Sequence, residues 1–300
     1  MKTPLIAPEG ELFRRLAYAG ARYGPSLWLR YSPPWFGLAF AAALPEARAA
    51  VRENLRLVHG PRPRVLEELD VARTFTQYAH CLAEGLAMDR PEARASRRRI
   101  RGEEHLSAAV TRGVGLVLVT AHVGPWDAAA RLLAHDLTAE VIVVMTAERN
   151  SQARRLHDGV RERGGIRVTH VGAHPLDGLP LLRHLRQRGV VAVQLDRVPP
   201  SGRTISTTLF GRPFSVPEGP FRVAALAGAA VLPLFVRRVG PFDYEFSVTP
   251  ALTLPRKPEL PRLEAAAQAA VTEMERFIRA HPTQWFHFDR HTAETRMIRP

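Results

Sequence analysis

Four short valine-rich runs, separated by stretches with helical spacing, constrain this chain more than any other feature. They are GLVLVTA at 115–121, VIVVM at 141–145, IRVTHV at 166–171 and VVAVQL at 190–195. Largely apolar strands must be covered on both faces, unlike the alternating strands of a sheet with one wet side. Between them lie PWDAAARLLAH, RNSQARRLHDGVRERG and PLDGLPLLRHLRQRG, each able to form a crossover helix. The order predicts an α/β fold with a mostly parallel sheet.

The flanks extend this pattern. Upstream, ARAAVRENLRLV and VLEELDVARTFTQYAHCLAEGLAM repeat apolar residues at helical spacing, with HGPRPR as the turn between them. DRPEARASRRRIRGEE reads as a basic connector and PSGRTIST as a polar loop. Downstream, the chain predicts a helix over about 219–229, strands at about 230–237 and in YEFSVTPAL, and a closing helix over about 260–280. That last helix places Leu263, Ala267, Val271, Met274 and Ile278 on one face. A helical region over 1–100 followed by an α/β part over 101–300, together one compact unit, is the expected organisation.

Composition narrows the class. With 46% hydrophobic and 24% charged residues the chain is globular, and its single cysteine excludes an intramolecular disulfide framework. Lys and Arg number 42 against 29 Asp and Glu, a formal charge of +13. Such a surplus suits acidic partners or an anionic membrane surface, although arginine on solvated faces would look the same. No zinc-finger, helix-turn-helix or sheet-borne aromatic pattern accompanies it, so no nucleic acid is expected. No run is long enough to span a bilayer. Residues 16–44 combine Trp28, Trp35, Phe36 and Phe40 with Arg22 and Arg30, the composition of an interfacial segment. Packing of those aromatics on the protein's own core is the competing reading.

The first valine run delivers a histidine: VTAHVGPWDAAA, with His122 and Asp127 five positions apart. Spacing alone means little, because His135–Glu140 and His157–Glu162 repeat it, the latter within one helix where five residues turn about 500°. His122 differs by standing at the carboxyl end of a buried strand, where parallel sheets bind ligands. Gly124 permits a tight turn, Pro125 suits a first helical position, and Asp127 then falls in the first helical turn. A carboxylate accepting Nδ1–H would leave Nε2 free to take a proton. The competing reading makes Asp127 a helix cap and His122 a core histidine. No Gly-x-Ser-x-Gly elbow, Walker loop or Gly-x-Gly-x-x-Gly is present, and no metal site is expected.

These residues resemble the bacterial lipid A biosynthesis lauroyl/myristoyl acyltransferases and the related phosphatidylinositol mannoside acyltransferases. VTAHVGPWDAAA is similar to their His-x4-Asp block, followed in order by ERN at 148–150 and VVAVQLDRV at 190–198. LFGRPFSVPEGPFRVAALAGAAVLPLFVRR at 209–238 and TQWFHFDR at 283–290 continue the resemblance. It implies a glycerolphosphate acyltransferase-like layered fold and transfer of a fatty acyl group from an acyl carrier protein or coenzyme A thioester to a lipid acceptor. The thioester is then a co-substrate, and no cofactor is implied. His122, Asp127 and Asp196 are the implied catalytic residues, with His122 as base. Arg149 and Arg197 match basic site positions and, with Gly124, Trp126, Glu218 and Gly219, are the substrate-binding candidates. A cationic site could hold phosphopantetheine or an anionic head group and stabilise an oxyanion. Trp285 is read as core, with no role assigned.

The resemblance implies attachment at the cytoplasmic face of a bacterial inner membrane. Relatives with a clear hydrophobic anchor helix differ from this chain, whose segment is broken by arginines; attachment would be peripheral and partly electrostatic. Two other readings stay open at this point. One is the same fold acting on a different acceptor, such as a specialised metabolite; the other is a non-catalytic basic protein that binds membranes or nucleic acid.

Overall fold

A computed structural model describes residues 18–126, 132, 140–146, 166–171, 176–198 and 202–289. Its centre is an eight-stranded mixed sheet with strand order β1-β9-β8-β2-β5-β3-β4, and β10 (Leu252–Thr253) also pairs with β8. The valine-rich runs form β2 (Leu116–Thr120), β3 (Val141–Thr146), β4 (Arg167–Val171) and β5 (Val190–Gln194), all mutually parallel where they pair. β8 (Ala230–Gly240) joins β2 in parallel, and β9 (Asp243–Val248) turns back antiparallel to β8. The expected α/β architecture with a mostly parallel sheet is present.

The pleat divides the core into two layers. Val117, Val119, Ala121 and Val123 point to one face; Leu116 and Leu118 point to the other. The first face is covered by α8 (Gly219–Ala227) and α9 (Leu260–Ala280). Leu263, Ala267, Val271, Met274 and Ile278 of α9 are all completely buried, as their spacing predicts. On the second face, α6 (Glu103–Thr111) contributes Leu106 and Ala109, and β9 contributes Tyr244 and Phe246. α7 (Gly178–Arg186) precedes β5 and buries Leu181 and Leu185 against the first layer.

Two segments depart from the sequence reading. The polar loop is a hairpin of β6 (Thr204–Leu209) and β7 (Arg212–Pro217). Its first strand alternates exposed and buried, with Thr207 inward and its hydroxyl donating to the Phe214 carbonyl at 2.8 Å. Thr207, at the middle inward position between Ile205 and Leu209, hides the period-two signal. The two-residue turn is Phe210–Gly211, both at positive φ, which matches the twist of a tight hairpin. The basic connector contains α5 (Pro91–Arg94) and β1 (Arg97–Arg101), a strand paired in parallel with β9. Charged side chains suit a sheet edge, and Arg99 and Arg101 reach Asp243 and Glu245 at 3.4 and 3.1 Å.

The N-terminal helices are α1 (Ser26–Tyr31), α2 (Pro33–Ala43), α3 (Pro45–His59) and α4 (Arg64–Leu86). α2 crosses α4 at Gly37, where an added Cβ would stand 2.6 Å from the Phe75 carbonyl oxygen. α3 and α4 are tied by a two-pronged ion pair from Arg56 to Glu67 at 2.6 and 2.7 Å. α4 reaches the sheet through buried Glu84, which accepts from Arg238 at 2.7 Å and from the Tyr244 hydroxyl at 2.9 Å.

Candidate active site

The pairing register of β2 and β5 builds the site. Thr120 stands opposite Gln194, and the ladder runs one step further with Leu195 N–H donating to the Thr120 carbonyl at 2.8 Å. Two residues past that pair on each strand stand His122 and Asp196. The Asp196 carboxylate accepts from the His122 backbone N–H at 3.1 and 3.0 Å and meets its ring Nδ1 at 2.7 Å. A tight turn around His122, with Val123 N–H donating to the Ala121 carbonyl at 2.7 Å, swings the imidazole off the strand. Gly124 completes the bend at φ +51°, and a Cβ there would meet the Val236 carbonyl oxygen at 2.2 Å. Only glycine fits that approach.

Asp196 is fully enclosed, whereas the His122 side chain keeps 17% of its surface exposed. Burial by itself would raise the Asp196 pKa; the charge of His122 and the hydrogen bonds to it outweigh burial and hold the carboxyl well below the usual range. An ionised carboxylate only accepts, so the hydrogen lies on Nδ1 and a neutral ring leaves Nε2 bare. A base oriented by a buried anion and reachable from outside is the chemistry this geometry can perform.

A third element closes the site from behind. After α9 the chain returns antiparallel to residues 122–124: Phe286 N–H donates to the His122 carbonyl at 2.8 Å, and Gly124 N–H to the Gln284 carbonyl at 2.9 Å. This lays Trp285 against Asp196, its indole Nε1–H donating to Oδ2 at 3.1 Å. His287, on the same side of the extended segment, stacks on Trp285 with 5.2 Å between ring centroids. Its Nδ1 lies 4.0 Å from Asp196 Oδ2. Burial, partly opposed by the Asp196 charge, pushes His287 down to about 4, so it is neutral near pH 7.

Beside the pair, an apolar cleft enclosing about 520 Å³, open mouth included, runs across the second face of the sheet. Leu118 and Thr120 of β2, Val143 of β3, Ala192 and Gln194 of β5, and Trp126 line it. Trp126 links cleft and base: its ring packs edge-on to His122 at 6.1 Å. Thr120 and Gln194, the last residues of β2 and β5, line the cleft two positions short of His122 and Asp196. Among the described residues no cluster of three or more His, Cys, Asp or Glu is arranged to hold a metal ion.

The sequence-derived candidates distribute unevenly. His122, Asp196, Gly124 and Trp126 come together. Asp127 and Arg149 lie outside the described residues. Arg197 is half-exposed, with its Nε 4.0 Å from Asp289 Oδ2. Glu218 is buried at the start of α8, where its carboxylate pairs with Arg222 of the same helix and makes no hydrogen bond to His122 or Asp196. Gly219 begins α8, with open space where a Cβ would stand. Trp285 and His287 were not among the candidates, although WFH already places both rings on one side of an extended segment.

A strand-end histidine on a buried carboxylate, next to an apolar cleft in a mostly parallel sheet, is an arrangement in which an oriented base could act on an apolar substrate. The family model for bacterial lipid A biosynthesis acyltransferases matches residues 22–292, and the chain belongs to that family. It is a lipid acyltransferase. Its relatives include the phosphatidylinositol mannoside acyltransferase of Mycobacterium tuberculosis, in strains CDC 1551 / Oshkosh and ATCC 25618 / H37Rv. Each is 29% identical over 241 residues, covering 78% of this chain and 74% of the relative.

Proposed function

We propose that this enzyme transfers a fatty acyl group from a coenzyme A or acyl carrier protein thioester to a hydroxyl of a glycolipid, with His122 as the general base. The observation that carries the reading is the 2.7 Å contact between His122 Nδ1 and buried Asp196, beside an apolar cleft that Trp126 links to the histidine. The acyl chain lies in the cleft. His122 Nε2 takes the proton of the acceptor hydroxyl as its oxygen attacks the thioester carbonyl carbon. Asp196 steadies the imidazolium through Nδ1–H. The tetrahedral intermediate then collapses, the carbon–sulfur bond breaks, and the departing thiolate takes the proton from Nε2. Atoms balance as ester plus free thiol, without a cofactor. Arg197 and Arg149 are assigned to the phosphates of donor or acceptor, and Asp127 to supporting the base.

The acceptor is taken to be a mannosylated phosphatidylinositol, by similarity to the mycobacterial relatives. Both it and the donor's chain are membrane-derived. The surface of α1 and α2 supports docking on an anionic bilayer at the cytoplasmic face. Leu27, Trp28, Tyr31, Trp35 and Phe36 are exposed there and Tyr23 just before α1, and Arg22 and Arg30 sit over the Tyr23 and Tyr31 rings. No described helix is long and apolar enough to cross a membrane. Attachment is therefore proposed to be interfacial.

The test is thiol release from palmitoyl-CoA or palmitoyl-acyl carrier protein in the presence of phosphatidylinositol dimannoside, with the product weighed by mass spectrometry. His122→Ala is expected to lower turnover by roughly 10²–10⁴-fold. Equal rates in both proteins would overturn the assignment.

A further inference from the structure

Asp196 is held by more than its partner histidine, and the additional grip comes from the far end of the chain. Trp285 is 3% exposed and its indole N–H points at Oδ2, the carboxylate oxygen that the His122 ring does not use. The indole is itself wedged. Phe210, at the tip of the β6–β7 hairpin, packs on one side with 5.8 Å between centroids, and His287 stacks at 5.2 Å. The preceding Gln284 side chain clamps the β8 backbone, accepting from Arg238 N–H and donating to its carbonyl, both at 2.8 Å. From the N-terminal region, Asn54 donates to the His287 and Asp289 carbonyls at 2.8 and 3.0 Å. Nothing in this arrangement can rotate without breaking a buried contact.

We infer that Trp285 is a positioning residue for the reaction: its indole N–H fixes the second oxygen of Asp196, so that the first stays aligned on the His122 ring. This rests on the reading of His122 as the base. An anion with both oxygens engaged cannot swivel, and a donor on the second oxygen disperses part of its charge. Among the described residues, the charged or titratable groups facing Asp196 are His122 from the end of β2 and His287 from the C-terminal segment. Arg197, next in sequence, pairs outward with Asp289. Two donors to Asp196 do not titrate, the His122 backbone N–H and the indole N–H, and the indole is the one supplied by a side chain. Removing it concentrates charge on the carboxylate, which then holds the imidazolium more tightly and leaves less free base at a given pH.

The experiment compares full-length enzyme with Trp285→Phe and with a protein carrying β-(3-benzothienyl)alanine at 285, which keeps the bicyclic shape and lacks the N–H. Turnover of palmitoyl-CoA with phosphatidylinositol dimannoside is expected to fall about 10- to 100-fold in kcat, with KM little changed. The acid limb of kcat/KM is expected to move to higher pH by about half a unit or more. In ¹⁵N-labelled protein the His122 Nδ1–H resonance should shift in both variants. Wild-type kcat, pH limb and resonance in the benzothienyl protein would overturn the inference, and so would a change confined to KM. If Trp285→Phe fails to fold, the benzothienyl protein decides. If wild-type enzyme transfers no acyl group, the reading of His122 as the base fails by itself, and the resonance still tests whether the indole acts on the pair.

Discussion

Two tryptophans mark opposite uses of the same side chain. Trp285 is 3% exposed and gives its N–H to a buried carboxylate, whereas Trp35 on α2 is 74% exposed and packs on no core. Around the first, both carboxylate oxygens of Asp196 are engaged and the backbone is pinned by Gln284 and Asn54. Around the second, aromatics and arginines face outward beside the crossing of α2 on α4 at Gly37 and Phe75. The rigid region suits proton transfer, which requires reacting atoms held to a fraction of an ångström. The exposed aromatic one suits the proposed contact with lipid. The two regions are joined through α4, whose Phe75 meets Phe288 at 5.3 Å.

Replacing Asp196 with Asn is the strongest way to break this contrast. The side chain keeps its size, but an amide no longer holds the imidazole in the required tautomer, and turnover is expected to fall by about 10³-fold or more. Steady-state kinetics on folded protein, checked by circular dichroism, measures it; a loss below tenfold would remove Asp196 from the mechanism. On the other side, Trp28→Ser, Trp35→Ser and Phe36→Ser together are expected to weaken binding to vesicles containing phosphatidylinositol by about 100-fold. Each buried aromatic contributes on the order of 2 kcal/mol, discounted for partial insertion. Cosedimentation reads this, and kcat on detergent-dispersed substrate should stay near wild type. A fall of equal size in both assays would show that the two regions do not act separately.

The smallest expected effect concerns stability. Burial lowers His287 to about 4 in the folded protein, against roughly 6.5 when unfolded. Between those values the unfolded chain binds a proton that the native one excludes, so stability is fully present above about pH 6.5 and falls as pH drops toward 4. Urea melts across that window should show a shallower acid loss in His287→Phe. An unchanged slope would mean that other groups carry the effect, half-buried His80 being the next in line, also at about 4.

Much of the scaffold was legible from local pattern. Continuous valine runs implied parallel strands, and the spacing in α9 identified its buried face residue by residue. Where charge or threonine replaced the apolar signal the reading missed strands: RRRIR became an edge, and TISTTL became half of a hairpin. The site was legible in part. His122 stood out because a strand end and a glycine-proline turn surround it, and resemblance drew attention to Asp196. Trp285 passed for core, since a large buried aromatic carries no local mark of the bond its nitrogen makes.

The sequence by itself determined which residues could be strands, where the first of them ends, and that a histidine waits there. Only the tertiary structure brought a buried carboxylate from a distant strand onto that histidine. Asp196 lies 74 residues away and Trp285 a further 89 beyond it. They meet because β5 pairs beside β2 in a particular register and the chain returns after α9 to close on them. Local periodicity reports which face of an element is buried; it is silent on which elements become neighbours, and this chemistry depends on neighbours.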